Sequence, residues 1–210
     1  MLNILIVDDH AIVRAGLRQI ISGSYSMAAV DEAADAVEAL TKIRGKTYSM
    51  IVLDISMPGK SGLDVLKEIR DEHPKLPVLM LSNYPEDQYA MRALRWGASG
   101  YLTKDSAPEE LVAAIRTVAA GRKYISSNLA EKLSYNLDAD IKKEPHEILS
   151  DREYQVLCML ASGKTMSEIA DQLSLSVKTI STYRSRILEK MQLKNNGELT
   201  NYAIRNHLTD

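Results

Sequence analysis

No stretch of this chain approaches the ~18 consecutive apolar residues that a membrane span needs. The N-terminus runs directly into a strand pattern, where a secretory leader would show a basic and then an apolar segment. The single cysteine, Cys158, excludes an internal disulfide; it lies in a helical apolar pattern and is expected in the core, not at a reactive site. Net charge is also small: the formal value is −2, so no global field attracts nucleic acid and any basic footprint must be local. No repeat of solenoid period is present. These absences make a reduced, cytoplasmic protein without a membrane partner the expectation. The 210 residues, 45% hydrophobic and 26% charged, suit one large domain or two small ones.

What the chain does have is organised around Met50-Ile51-Val52-Leu53-Asp54-Ile55-Ser56-Met57-Pro58-Gly59. The short β-favouring apolar run reads as a strand buried on both faces, and Pro58-Gly59 breaks it into a loop. Similar runs occupy 3–7, before Asp8-Asp9, and 77–81, before Ser82. A shorter one covers 100–102, followed by Thr103 and Lys104, and a weaker one lies near 27–31. Helical patterns fall between them: 11–22 (Ile12, Val13, Leu17, Ile20, Ile21 inward), 35–44 (Val37, Leu40, Ile43), 62–72 (Leu63, Leu66, Ile69) and 86–96. A fifth begins at Pro108, a residue suited to a first helical turn. Strands alternating with helices predict a doubly wound α/β domain over residues 1–122, with a five-stranded parallel sheet.

Residues 123–146 read as a linker, with a short helix expected over 127–137 and a polar run from Asp138 to Pro145. From 147 to 210 only helical patterns remain. Ser150 and Glu153 form a capping box for a helix that buries Val156, Leu157, Leu160 and Ala161 and stops at Gly163. Further helices are expected at 166–173, 177–191 and 198–206, the first two joined by Ser174-Leu175-Ser176. The second domain is therefore an all-α four-helix unit.

Asp8, Asp9, Asp54, Ser82 and Lys104 each fall at the carboxyl end of a predicted strand, where open parallel sheets bind ligands. Any one of these carboxylates alone could be a helix cap. Three together repel one another unless a cation joins them, and hard oxygens on an open crevice suit Mg²⁺. A divalent ion, Lys104 and the Ser82 hydroxyl would complement phosphoryl oxygens. Asp54, central and expected to be the best exposed, is the natural carboxylate nucleophile for an acyl phosphate. His10, beside the acidic pair, reads as a loop residue in preference to a ligand or donor.

With Tyr101 added, the Asp8-Asp9 pair, the run from Asp54 to Gly59, Ser82 and Lys104 resemble the receiver domain of two-component response regulators, a flavodoxin-like fold. The resemblance implies that Asp54 accepts a phosphoryl group from a sensor histidine kinase. It implies that Asp9, Asp54 and the Ser56 carbonyl ligate Mg²⁺, with Asp8 acting mostly through water. Ser82 and Tyr101 would be a switch pair, the hydroxyl moving to the phosphoryl group and the ring turning inward behind it, while Lys104 pairs with phosphoryl oxygens. Two positions depart from the family pattern: Asn83 stands where receivers commonly have a small residue, and Asp105 where many have proline.

In the second domain, a short helix, a tight turn and a longer helix have helix-turn-helix spacing. Val177, Ile180, Ile187 and Leu188 supply the buried face of the longer helix, leaving Lys178, Ser181, Thr182, Arg184, Ser185 and Arg186 largely exposed. On spacing alone a solvated basic helix in an interaction domain is the alternative. The motifs Leu149-Ser150-Asp151-Arg152-Glu153, Ala161-Ser162-Gly163-Lys164, Glu168-Ile169-Ala170 and Val177-Lys178-Thr179-Ile180 resemble the LuxR-type DNA-binding domain. Tyr183 stands where many members have histidine, and residues 183–191 resemble the GacA/UvrY regulators within the NarL/FixJ class. The resemblance places Ser181, Thr182 and Ser185 near base edges and Lys178, Thr179, Arg184, Arg186 and Lys190 near phosphates of promoter DNA. It makes helix 198–206 a dimerisation helix, so that a homodimer, through it or through the receiver, reads inverted half-sites.

The whole reads as a phosphorylation-controlled transcription regulator, not an enzyme. An aspartyl-phosphate hydrolase of the haloacid-dehalogenase type would carry a second aspartate two residues after the nucleophile, where this chain has Ser56. An adaptor that binds only proteins is the other competing reading, and it would leave no footprint on DNA.

Overall fold

The computed structural model describes residues 2–126, 129–130, 144–206 and 208–209, and divides into two compact units, Met1–Ala130 and Glu131–Asp210. Most of the helix expected over 127–137 and of the polar run at 138–145 lies outside the described residues.

The first unit is a sheet of five strands, β1 (Leu2–Val7), β2 (Ala28–Ala33), β3 (Met50–Asp54), β4 (Val78–Ser82) and β5 (Gly100–Thr103). All pairings are parallel, in the order β2-β1-β3-β4-β5. The intervening helices are α1 (Ala11–Ser24), α2 (Ala36–Gly45), α3 (Gly62–Glu72) and α4 (Glu86–Arg95), with α5 (Pro108–Ala119) last. Every residue of β3 and β4 is buried, as two-sided coverage by crossover helices requires. Alternation along the strands sends Ile4, Ile6, Met50, Val52, Leu79, Leu81 and Leu102 into one core layer with Leu17 and Ile21 of α1 and Leu111, Ile115 and Val118 of α5. Each such side chain contributes about 1.5–3 kcal/mol by leaving water.

Two inward expectations fail here. Ile12 and Val37 are 85% and 75% exposed. At about 100° per residue, each lies more than a quarter-turn from the centre of the stripe its helix buries, Leu17 and Ile21 in α1 and Ala36, Ala39, Leu40 and Ile43 in α2.

The chain order places the topological switch point between β1 and β3, the crevice that this sheet type offers to ligands. Val7 pairs with Leu53, so Asp8 and Asp54 follow side by side; Ser82 pairs with Thr103, and Lys104 comes next. Beyond α5 the backbone does not leave the unit at once. The Tyr124 N–H donates to the Ser99 carbonyl at 2.8 Å, a bridge that lays residue 124 along the open edge of β5 beside Gly100. The Tyr124 hydroxyl bonds Glu110 at 3.0 Å and the Ser126 hydroxyl bonds Glu86 at 2.6 Å.

The described part of the second unit begins with a 3₁₀ turn, Pro145–Ile148, where His146 Nδ1 lies 2.9 Å from the Tyr202 hydroxyl. Four helices follow: α6 (Asp151–Ala161), α7 (Met166–Leu173), α8 (Val177–Lys190) and α9 (Asn196–Arg205). The Ser150–Glu153 capping box is present, and Thr165–Glu168 forms a second one at α7. Cys158 is buried. Helix α9 starts two residues earlier than expected, because the Asn195 side chain accepts the Glu198 N–H and caps the helix there. On α8 only Ile180 and Ile187 are fully buried; Val177 is 45% exposed and Leu188 half-buried, since both flank that stripe.

Candidate functional site

The carboxyl ends of β1, β3, β4 and β5 bring together Asp8, Asp9, Asp54, Ser82 and Lys104, the set drawn from the sequence. The Lys104 ammonium is the centre of the cluster: Nζ lies 2.8 Å from Asp54 Oδ2 and 2.7 Å from Asp8 Oδ2. The Asp8 contact is a close ion pair. The backbone beneath Lys104 is fixed by its N–H donating to the Ser82 carbonyl at 2.7 Å. The other Asp54 oxygen, Oδ1, accepts the Ser56 N–H at 3.1 Å, and Asp8 Oδ1 accepts the His10 N–H at 2.8 Å.

Asp54 is not the best exposed of the three carboxylates, as the sequence suggested, but is 1% exposed. Asp9 is the most open, with a quarter of its side chain accessible. Burial pushes the Asp54 carboxyl above the ordinary carboxylate range; Lys104 draws it back, and Asp8 adds to the rise. Burial would lower the Lys104 ammonium, yet Asp54 and Asp8 outweigh it and hold its pKa above the usual lysine value.

Three carboxylates against one ammonium leave a local surplus of negative charge in a buried place. One oxygen from each carboxylate and a His10 nitrogen lie within 4.8 Å of one another. The Ser56 hydroxyl is buried without a hydrogen-bond partner among the described residues. A hard, anionic oxygen set of this kind fits Mg²⁺.

Behind the cluster, the Tyr84 N–H donates to the Ser82 hydroxyl at 3.0 Å, and the Tyr101 hydroxyl donates to the Tyr84 carbonyl at 2.8 Å. Tyr101 is 1% exposed, so its ring is turned inward, and burial raises its phenol, which stays a donor. Asn83 and Asp105, the two departures, both face solvent.

Sequence reasoning passed over three contributors. Tyr84 links Ser82 to Tyr101 through its backbone, which no side-chain pattern reveals. Gly62 packs against the Asp54 carbonyl, where a Cβ would overlap it; its place just after Pro58-Gly59 was the available signal. His10 contacts both Asp8 and Asp9 where a plain loop residue was expected.

On α8, Ser176 caps the helix by accepting the Thr179 N–H at 3.0 Å. Thr182 and Ser185 turn their hydroxyls back to the Lys178 and Ser181 carbonyls. Lys178, Thr182, Ser185 and Arg186 are exposed, whereas Thr179, Ser181 and Arg184 are half-buried, Ser181 and Arg184 against expectation. Arg184 Nε donates to Asn196 at 2.6 Å, and Lys190 Nζ to the buried Glu153 at 2.7 Å. Among the described residues, Lys178 and Arg186 have no ion-pair partner. No helix among the described residues is long and apolar enough to cross a membrane.

A parallel sheet ending in this acidic and lysine cluster, followed by a helix-turn-helix unit, defines a response regulator with a DNA-binding domain, and the chain belongs to that family. Residues 4–116 match the response regulator receiver domain and residues 147–203 the bacterial regulatory proteins of the luxR family. Such a protein is a transcription regulator and not an enzyme. The response regulator UvrY of Escherichia coli (strain K12) is 36% identical over 209 residues, spanning 99% of this chain and 96% of UvrY. The oxygen regulatory protein NreC of Staphylococcus carnosus (strain TM300) is 37% identical over 216 residues, spanning 100% of both. Among solved structures, RcsB from Salmonella enterica serovar Typhimurium, bound to promoter rprA in the presence of phosphomimetic BeF₃⁻, superimposes with a TM-score of 0.64 at 27% identity, covering 96% of this chain and 98% of that one.

Proposed function

We propose that Asp54 is the phosphoacceptor of a sensor histidine kinase and that its phosphorylation controls binding of α8 to promoter DNA in the cytoplasm. The reading rests on one observation: Lys104 sits within 2.8 Å of both Asp54 and Asp8 at the switch point of the sheet. An Asp54 carboxylate oxygen forms the new bond to phosphorus as the bond to the donor breaks, and the leaving group takes the electron pair. Lys104 then exchanges part of its pairing with Asp54 for the phosphoryl oxygens. The Ser82 hydroxyl donates to another of those oxygens, and Tyr101 holds the Tyr84 loop behind it. Asp9, Asp54 and the Ser56 carbonyl, with Asp8 through water, would hold Mg²⁺, which when bound neutralises charge between carboxylate and phosphoryl oxygens.

The receiver is taken as 1–122, the linker as 123–146 and the DNA-binding domain as 147–210. On α8, Ser181, Thr182 and Ser185 approach base edges, and Lys178, Thr179, Arg184, Arg186 and Lys190 form the phosphate-facing set. Within that set Lys178 and Arg186 are free to engage phosphates, whereas Arg184 and Lys190 are held by Asn196 and Glu153. Helix α9, with Ile204 51% exposed, is the candidate face for a homodimer on inverted half-sites, with the receiver as a second dimer surface.

The test is fluorescence anisotropy on duplex DNA, with and without Mg²⁺ and acetyl phosphate, for wild type and Asp54→Asn. Tighter, sequence-selective binding confined to phosphorylated wild type is the expected result. Equal binding in every sample would remove phosphate control.

A further inference from the structure

The side chains gathered beyond β1 and β3 include one that the proposed phosphoryl chemistry does not use. His10 Nδ1 lies 2.9 Å from Asp9 Oδ1 and 3.3 Å from Asp8 Oδ1. Together with one oxygen each from Asp8, Asp9 and Asp54 it belongs to a group whose atoms all lie within 4.8 Å of one another. Neighbouring ligands bonded at about 2.1 Å in an octahedral shell stand about 3 Å apart. That is the spacing between the imidazole nitrogen and both carboxylate oxygens.

The ring is held where it is by its own backbone. The His10 N–H donates to Asp8 Oδ1 at 2.8 Å, and its carbonyl accepts the Val13 and Arg14 N–H groups at 3.1 and 3.2 Å as α1 begins. Among the described residues the ring makes no polar contact except with the two carboxylates. Its side chain is 56% exposed, so the opposite edge can carry a proton on Nε2 in contact with water.

We propose that His10 is a nitrogen ligand of the cation at this site and shifts its selectivity from Mg²⁺ toward first-row transition cations such as Mn²⁺ and Co²⁺. The inference rests on the reading of Asp8, Asp9 and Asp54 as cation-holding residues. Mg²⁺ is hard, prefers oxygen and keeps its waters, so a nearby imidazole adds little to its binding. Mn²⁺ and Co²⁺ accept imidazole readily, and Co²⁺ is the stronger binder of the two. With a cation bound, the Nδ1 lone pair points to the metal and the ring proton resides on Nε2. Asp9 would then exchange the imidazole contact for the ion itself, and Asp8 for a water in the ion's shell.

The experiment uses the full chain as wild type, His10→Gln and Asp9→Asn, with Mg²⁺ and Co²⁺ affinities measured by calorimetry. Pulsed electron paramagnetic resonance of the Mn²⁺-loaded forms reads directly bound ¹⁴N. Wild type should show one imidazole nitrogen coupling that His10→Gln lacks. Co²⁺ affinity should fall about tenfold or more in His10→Gln while Mg²⁺ affinity stays within about threefold. Absence of the coupling in wild type, or an unchanged ratio of Co²⁺ to Mg²⁺ affinity in His10→Gln, overturns the proposal. Should Asp9→Asn lose cation binding while His10→Gln changes nothing, the cation site stands and only the ligand role of His10 is lost. Should Asp9→Asn bind both ions as wild type does, the cation lies elsewhere and both readings fall.

Discussion

A Cβ atom on Gly62 would overlap the main-chain carbonyl oxygen of Asp54. The two backbones approach this closely because the Gly62 N–H donates to the Ile55 carbonyl at 2.9 Å, folding the loop from 55 to 62 against the strand that ends in Asp54, the proposed acceptor.

Gly62→Ala should therefore displace the end of β3. The strain of such overpacking is about 1–3 kcal/mol, and Asp54 should take up phosphate from acetyl phosphate more slowly than in wild type. Urea unfolding and a phosphorylation time course check both. Wild-type values for each would mean the loop yields without moving Asp54.

Removing the buried charge at residue 54 should stabilise the protein in the absence of divalent ions. The folded state holds the Asp54 carboxyl above its unfolded value, so between the two the folded form binds more protons and wild-type stability falls as pH rises. Asp54→Asn lacks that fall, while Lys104 keeps its Asp8 partner. The variant should be more stable than wild type at neutral pH by an amount on the order of 1 kcal/mol. The gap should close on acidification through the carboxylate range. Denaturant titrations at neutral and acid pH measure it.

Glu153 works in the opposite direction. Burial would raise its carboxyl, but the bonds from Lys190 and from the Ser150 N–H and hydroxyl outweigh burial and hold it below the ordinary glutamate value. Its contribution is fully present above the unfolded pKa and is lost as pH falls through the folded one. Glu153→Gln should lose about 1–2 kcal/mol at neutral pH and nearly nothing in acid. A deficit that persists unchanged at low pH would count against the charged pair.

The basic residues of α8 should separate in their salt dependence. Lys178→Ala and Arg186→Ala should weaken binding across all duplexes and each flatten the slope of log affinity against log salt by about one. Lys190→Ala should lower stability and leave the slope nearly unchanged, because its ammonium is engaged by Glu153. An equal flattening for Lys190→Ala would mean that DNA draws it off Glu153.

Much of this was legible in residue order. Buried strands announce themselves as apolar runs, and a carboxylate or hydroxyl after each run falls at the same edge of a parallel sheet, which is why Asp8, Asp54, Ser82 and Lys104 could be grouped before any coordinates. Exposure was less legible. Asp54 lies deeper than Asp9 because it is the last residue of a central strand, whereas Asp9 has already left the sheet. The outward positions of Ile12 and Val37 follow from helix phase, which an apolar count ignores. Pairings such as Arg184 with Asn196 and Lys190 with Glu153 join separate helices and have no local signature.

The bridge from Tyr124 to the edge of β5 bears on how such proteins are taken apart and recombined. A Cβ on Gly100 would stand 3.0 Å from the Tyr124 carbonyl oxygen, so the strand and the segment beside it are fitted to each other. Cutting the chain directly after α5 would strip a sheet margin of its cover and leave unpaired backbone groups able to recruit another molecule's strand. Chimaeras that exchange output modules should join their halves beyond Ala130, where the first compact unit closes. Tyr124 and Ser126, which the sequence suggested were the start of a linker, are thus bound to the sheet domain through Ser99, Glu110 and Glu86.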